Sequence, residues 1–174
     1  MNLLHDISAG NKAPDIINVI IEIPKGSKNK YEIDKETGII KLDRVMHTSQ
    51  DFPFDYGFVP QTLWHDGDAL DVVVLTTHSL PVGILLEVRP VAVVRMIDTG
   101  ERDEKIIAVP KADPRFNDVH DLKDINAHFL KEVEHFFTTY KKIQNKEVFI
   151  NGIEGVAAAK ECVIEAQALY KAAK

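Results

Sequence analysis

Cysteine is almost absent: Cys162 is the only one in 174 residues. No intrachain disulfide can form, which fits a reducing, cytoplasmic setting. The opening "MNLLHDISAG" lacks both a basic segment and a long apolar one, so no secretory signal is expected there. Long hydrophobic runs are missing as well. The richest apolar stretch, residues 80–97, is broken by Glu87, Arg89, Pro90 and Arg95, which excludes a membrane span there. Positive charge is in deficit, with 21 Lys and Arg against 27 Asp and Glu, a net −6. Domains that hold nucleic acid by bulk charge are usually basic, so neither nucleic acid nor membrane is an expected partner. There is no internal repeat and no low-complexity tract. What is present is an ordinary globular composition, 45% hydrophobic, and enough chain for one domain over residues 1–174 with a sizeable core.

The first two-thirds read as strands. "INVIIEI" (17–23) is closed by Pro24, and "KYEID" (30–34) turns at Thr37-Gly38 into "IIKLD" (39–43). "DVVVLT" (71–76) is a continuous apolar strand, 84–98 a long strand or two with Pro90 at an edge or bulge, and 105–109 another. The last third turns helical. Asn126 is suited to cap a helix whose buried face is Phe129, Leu130, Val133, Phe136, Phe137, Tyr140 and Ile143. A second helix is expected from about Asn151–Gly152 to Ala172, with Ile153, Val156, Ala159, Val163, Ala166 and Tyr170 as its stripe. Strands followed by helices predict an α+β chain, mainly β, built on a small barrel or sandwich.

One stretch resists that bland reading. "WHDGDALDVVVL" (64–75) crowds Asp66, Asp68 and Asp71 against a strand that must be buried. Like charges beside a core repel and resist desolvation. In a strand, side chains alternate faces, so the three carboxylates converge only if 65–70 is a loop and Asp71 opens the strand. Gly67 frees the backbone for such a loop. A divalent cation reverses the repulsion, because hard ions take oxygen ligands. An EF-hand is excluded, since its fifth and sixth positions would be Leu70 and Asp71 rather than an oxygen ligand and glycine. A solvated acidic turn explains this hexapeptide alone equally well.

A second cluster has the same form. "MIDTGERDEK" (96–105) sets Asp98, Asp103 and Lys105 around a glycine turn between strands. Alone it reads as an exposed hairpin; beside the first loop it forms one acidic barrel mouth. Lys30 and Glu32 share a strand face, Glu22 lies on the neighbouring strand, Arg44 follows the returning strand, and Lys141 follows Tyr140. Carboxylates for two or more Mg²⁺ ions, with Lys, Arg and Tyr groups for an oxygen-rich anion, together describe metal-assisted phosphoryl chemistry.

Over almost its whole length the chain resembles the soluble family I inorganic pyrophosphatases of bacterial and archaeal type. The matching segments are "VIIEIP", "KYEIDKETG", "LDRVM", "FPFDYGFVPQT", "DGDALDVVVL", "DTGERDEK" and "HFFTTYK", in order. The resemblance implies Mg²⁺-dependent hydrolysis of pyrophosphate, a five-stranded closed barrel of OB type with flanking helices, two of them C-terminal, and a homohexamer. It implies tight metal ligands at Asp66, Asp71 and Asp103, a substrate-borne metal at Asp98 shared with Asp103, and outer metal-binding acids at Glu22 and Glu32. It also implies that Asp68 deprotonates the attacking water, and that Lys30, Arg44, Tyr56, Lys105, Tyr140 and Lys141 surround the phosphates. Several Mg²⁺ per subunit are expected, with Mn²⁺ or Zn²⁺ as substitutes.

Those seven acids against four cationic side chains leave the proposed site at −3. Metal must therefore precede a polyanionic substrate. Three positions depart from the family pattern: Phe52 for Tyr, Asp55 for Asn and Ala69 for Pro. An OB module that binds single-stranded nucleic acid is the rival reading, but it would present a basic groove with stacking aromatics. A passive calcium-binding protein leaves Lys30, Arg44 and Lys141 without a role.

Overall fold

The computed structural model describes residues 1–174. In chain order the strands are β1 (Ile17–Ile23), β2 (Asn29–Ile33), β3 (Ile40–Val45), β4 (Asp55–Phe58), β5 (Asp71–Val74), β6 (Leu85–Asp98), β7 (Glu101–Arg102) and β8 (Lys105–Pro110). Helix α1 (Ala127–Thr139), strand β9 (Val148–Gly155) and helix α2 (Val156–Ala172) complete the chain. Strands β1, β4, β5, β8 and β6 pair in that order, and β6 pairs back to β1. The five form a closed ring, as expected. The pairings are antiparallel except β5 with β8, which is parallel. Strands β2 and β3 form a separate hairpin.

Strand residues in the ring are apolar on both faces because both faces are covered. Val72, Val74, Ile106 and Ala108 join a cluster with Trp64, Ala159, Cys162, Val163 and Ala166. Their alternates Val73, Ile107 and Val109 join Phe52, Phe54, Val133, Phe136, Phe137 and Tyr140. Each helix thus seals one of two apolar layers, which is why "DVVVL" shows no polar alternation. Asn126 caps α1 by accepting a hydrogen bond from the backbone N–H of His128. Pro90 sits at a register shift between β6 and β8, the bulge reading of that proline. No helix is long and apolar enough to cross a membrane.

Two expectations fail and one strand goes unforeseen. Residues 148–155 are not the start of the second helix but strand β9, antiparallel to β6, and α2 begins at Val156. The pairing slips where Arg95 faces Gly152 and Met96 faces Ile150, and Gly152 has φ +123°. Ile153 therefore belongs to a bulged strand, although its spacing to Val156 imitates a helix stripe. Ile143 is not on a buried helical face: α1 ends at Thr139, and Ile143 lies in a 3₁₀ turn, 64% exposed. Strand β4 was not anticipated, because Asp, Gly and aromatics conceal it. Its Gly57 is required by packing, since a Cβ there would lie 2.0 Å from the Ile20 carbonyl oxygen.

Candidate active site

Three strand ends meet at one mouth of the ring. Asp71 is the first residue of β5 and Lys105 the first of β8, and the two are paired in register. Asp98 is the last residue of β6. The β6–β7 turn is Thr99-Gly100 with φ +52° and +89°, the two left-handed residues that suit a tight hairpin. The 64–68 loop closes on itself: the Trp64 N–H donates to the Asp68 carbonyl (2.7 Å) and the Gly67 N–H to the Trp64 carbonyl (3.0 Å). Gly67, φ +85°, makes that closure. The Asp68 N–H donates to Asp66 Oδ1 at 3.0 Å, so the loop is an Asx turn. As expected, Asp66 and Asp68 lie on a loop and Asp71 opens the strand.

Two adjoining clefts of about 220 and 270 Å³ run along this mouth. They share Lys30, Tyr56, Asp68 and Asp71. Glu22 and Glu32 line the first; Asp66, Asp98, Asp103, Lys105, Tyr140 and Lys141 line the second. Of the residues expected at the site, only Arg44 lines neither cleft. It stands opposite Lys30 in the β2–β3 hairpin, and both cations reach Asp43, Lys30 Nζ at 3.0 Å and Arg44 Nη1 at 2.6 Å. Arg44 Nε is buried with no hydrogen-bond partner.

Charge is paired across the mouth. The buried Lys105 ammonium donates to Asp71 Oδ2 at 2.5 Å and also to Asp103. Lys141 donates to Asp98. Glu22 accepts the Ile33 N–H at 2.6 Å, which ties the hairpin to the ring. Burial raises Asp71 and Asp66 above the ordinary carboxylate range, and raises Asp103 to about 6, with Lys105 opposing at Asp71 and Asp103. Burial, then the charge of Asp71, pushes Glu22 well above its usual value. At Asp98 burial acts the same way, but the hydrogen bonds from Lys141 and Thr99 outweigh it and hold the carboxyl low. Burial lowers Lys141 despite Asp98, and raises the Tyr56 and Tyr140 phenols.

Two site contacts escaped the sequence reading. Lys35, at the hairpin tip, holds Asp68 Oδ1 at 2.5 Å and the Gly67 carbonyl at 3.0 Å. Asp43 organises Lys30 and Arg44. Lys35 offered only the signal of a basic residue beside a turn, and Asp43 that of an acid next to Arg44. The three departures prove local. Phe52 packs in the aromatic core, 4.8 Å from Phe136. Buried Asp55 is satisfied by Lys25 N–H, Leu80 N–H and the hydroxyls of Thr76 and Ser79. Ala69 joins a small cluster with Leu4, Ile20 and Phe58.

The donor set suits a hard divalent cation: the ligands on offer are carboxylate oxygens, several of them buried and mutually repelling. No three acidic side chains converge on one point at ligand distance. Asp71 and Asp103 are instead turned onto Lys105, so holding an ion requires their side chains to rotate.

Comparison with known proteins points the same way. The family model described as inorganic pyrophosphatase matches residues 19–171. The inorganic pyrophosphatase of Picrophilus torridus is 44% identical over 98% of this chain and 97% of its own. The soluble inorganic pyrophosphatase of Zea mays is 44% identical over 95% of this chain and 78% of its own. The crystal structure of inorganic pyrophosphatase from Thermus thermophilus superposes with a TM-score of 0.94 at 42% identity, covering 98% of this chain and 99% of that one.

Proposed function

Because the chain belongs to the inorganic pyrophosphatase family, a family of metal-dependent hydrolases, we propose that the acidic mouth is its catalytic centre and works with Mg²⁺. The reaction is hydrolysis of pyrophosphate to two orthophosphates. The observation that carries the site assignment is the meeting of Asp66, Asp71, Asp98 and Asp103 with Lys30, Lys105, Tyr140 and Lys141 in connected clefts.

In this reading Asp66, Asp71 and Asp103 hold the tightly bound ions, Asp98 shares a substrate-borne ion with Asp103, and Glu22 and Glu32 act from further out. Bound there, Mg²⁺ would lower the pKa of water and draw charge from the phosphate oxygens. Asp68 is more exposed than Asp66 and Asp71, on a loop whose backbone is closed at both ends. It accepts the proton from the attacking water. Lys30, Arg44, Lys105 and Lys141 neutralise charge on the phosphates, with Tyr56 and Tyr140 donating hydrogen bonds. Arg44 Nε, buried and unpaired, is a donor suited to an anion. Lys35 holds Asp68 through an exposed ion pair of the kind worth ~1 kcal/mol or less, weak enough to yield during turnover.

We further propose that residues 1–174 act as one catalytic domain, in the cytoplasm and as a homohexamer. Several Mg²⁺ are bound per subunit, with Mn²⁺ or Zn²⁺ as substitutes. The nucleic-acid reading is disfavoured because the mouth is acidic. Purified protein with pyrophosphate and Mg²⁺ is expected to release phosphate, and a chelator to stop the release. No release from a correctly folded protein contradicts the proposal.

A further inference from the structure

Behind the two site loops lies a buried group of side chains that the proposed chemistry does not use. Trp64 and Glu104 are 3% and 5% exposed. The Trp64 indole N–H donates to Glu104 Oε2 at 2.7 Å, and Arg102 Nε donates to Glu104 Oε1 at 3.0 Å. The Arg102 guanidinium lies 5.1 Å from the centre of the Trp64 ring, within cation–π range. Arg95 approaches Glu104 Oε1 at 3.7 Å. At the rim, His65 and Arg102 both meet Glu165 on α2, at 2.6 and 3.4 Å.

The placement of these residues matters. Backbone pairing of β5 with β8 starts at Asp71 and Lys105. Asp66 and Asp103 lie outside that ladder; the Asp103 N–H is held by the Met96 carbonyl on β6 at 3.0 Å, and no backbone bond joins its segment to the Asp66 loop. Trp64 closes the Asp66–Asp68 loop through its backbone, and Glu104 stands between Asp103 and Lys105. The indole–carboxylate bond therefore joins the loop of Asp66 and Asp68 to the segment of Asp103. We propose that Trp64 and Glu104 are positioning residues. Their hydrogen bond sets the spacing of Asp66 and Asp103, and thereby the affinity of the mouth for a divalent cation. Arg102 and Arg95 place positive charge beside Glu104 and hold it in place, the partners a buried carboxylate requires.

This inference rests on the metal-site assignment above, and the test separates the two. Trp64→Phe keeps a ring but loses the donor. Glu104→Gln keeps the shape and weakens the hub's charge. Each chelator-stripped variant is titrated with Mg²⁺ alone, with binding read by calorimetry on folded protein and melting temperature recorded separately. Outer-shell partners of ligands typically govern metal affinity by roughly 10- to 100-fold. The expected result is Mg²⁺ binding about tenfold weaker in both variants, with turnover at saturating Mg²⁺ recovering most of its wild-type value. A purely structural role would lower the melting temperature and leave the Mg²⁺ dissociation constant unchanged. Affinity within twofold of wild type, in whichever variant folds, overturns the proposal. Failure of the wild type itself to bind Mg²⁺ overturns the site assignment instead.

Discussion

Asp68→Asn is expected to lower turnover about a thousandfold while changing the pyrophosphate KM only a few fold. General-base catalysis contributes on the order of 10²–10⁴, and asparagine keeps the size of aspartate while losing its ability to take a proton. The substitution should leave the loop standing, because that loop is held by backbone bonds between Trp64 and Asp68 and by Asp66 Oδ1 on the Asp68 N–H. None of these uses the Asp68 carboxylate. Its one ion pair, with Lys35, is exposed. The loss should therefore fall on kcat. Steady-state kinetics at saturating Mg²⁺ makes the check, and a variant with near-normal kcat removes Asp68 from the proton-accepting role.

Lys105→Met is expected to destabilise the metal-free protein by about 3–5 kcal/mol, the usual cost of removing one partner from a buried ion pair. Lys105 is 3% exposed and is the ammonium onto which Asp71 and Asp103 turn. Methionine keeps much of its stem, so little packing is lost. The two carboxylates then face each other without compensation. Mg²⁺ supplies the missing positive charge, so saturating Mg²⁺ should restore more stability to this variant than to wild type. Denaturant unfolding with and without chelator measures both quantities. A loss below about 1 kcal/mol in chelator, or an equal response to Mg²⁺, would show that Lys105 does not balance these acids.

What was legible in the sequence was mostly local. Asp66, Asp68 and Asp71 could be assigned to a loop and a strand start because Gly67 and the valines after Asp71 carry that information in adjacent positions. The helix from Asn126 was legible because its cap and its 3–4 spacing sit within one segment. Where a conformation depends on a distant partner, the reading failed. Val148–Gly155 is a strand because β6 offers it an edge, and its glycine bulge disguised the alternation. Asp55–Phe58 is a strand because Gly57 lets β1 come close. The site shows the same division. Residues carried by the family motifs could be named in advance, whereas the Lys35–Asp68 pair spans 33 positions between a hairpin tip and a loop. The Trp64–Glu104 bond likewise joins residues 40 apart, through a parallel pairing of β5 and β8 that no local pattern encodes.

The claim on which everything else depends is that the crowded carboxylates form a metal centre before substrate arrives. Calorimetric titration of Mg²⁺ into chelator-stripped protein, without pyrophosphate, tests it most directly at pH 6 and pH 7.5. Asp103 is raised to about 6 by burial, and Asp66, Asp71 and Glu22 are raised too. Asp103, at about 6, is partly protonated at pH 6, and a metal must displace that proton. Mg²⁺ is therefore predicted to bind unaided, more tightly at pH 7.5, and to release protons on binding at pH 6. Binding that needs pyrophosphate first, or that weakens as pH rises, would contradict it.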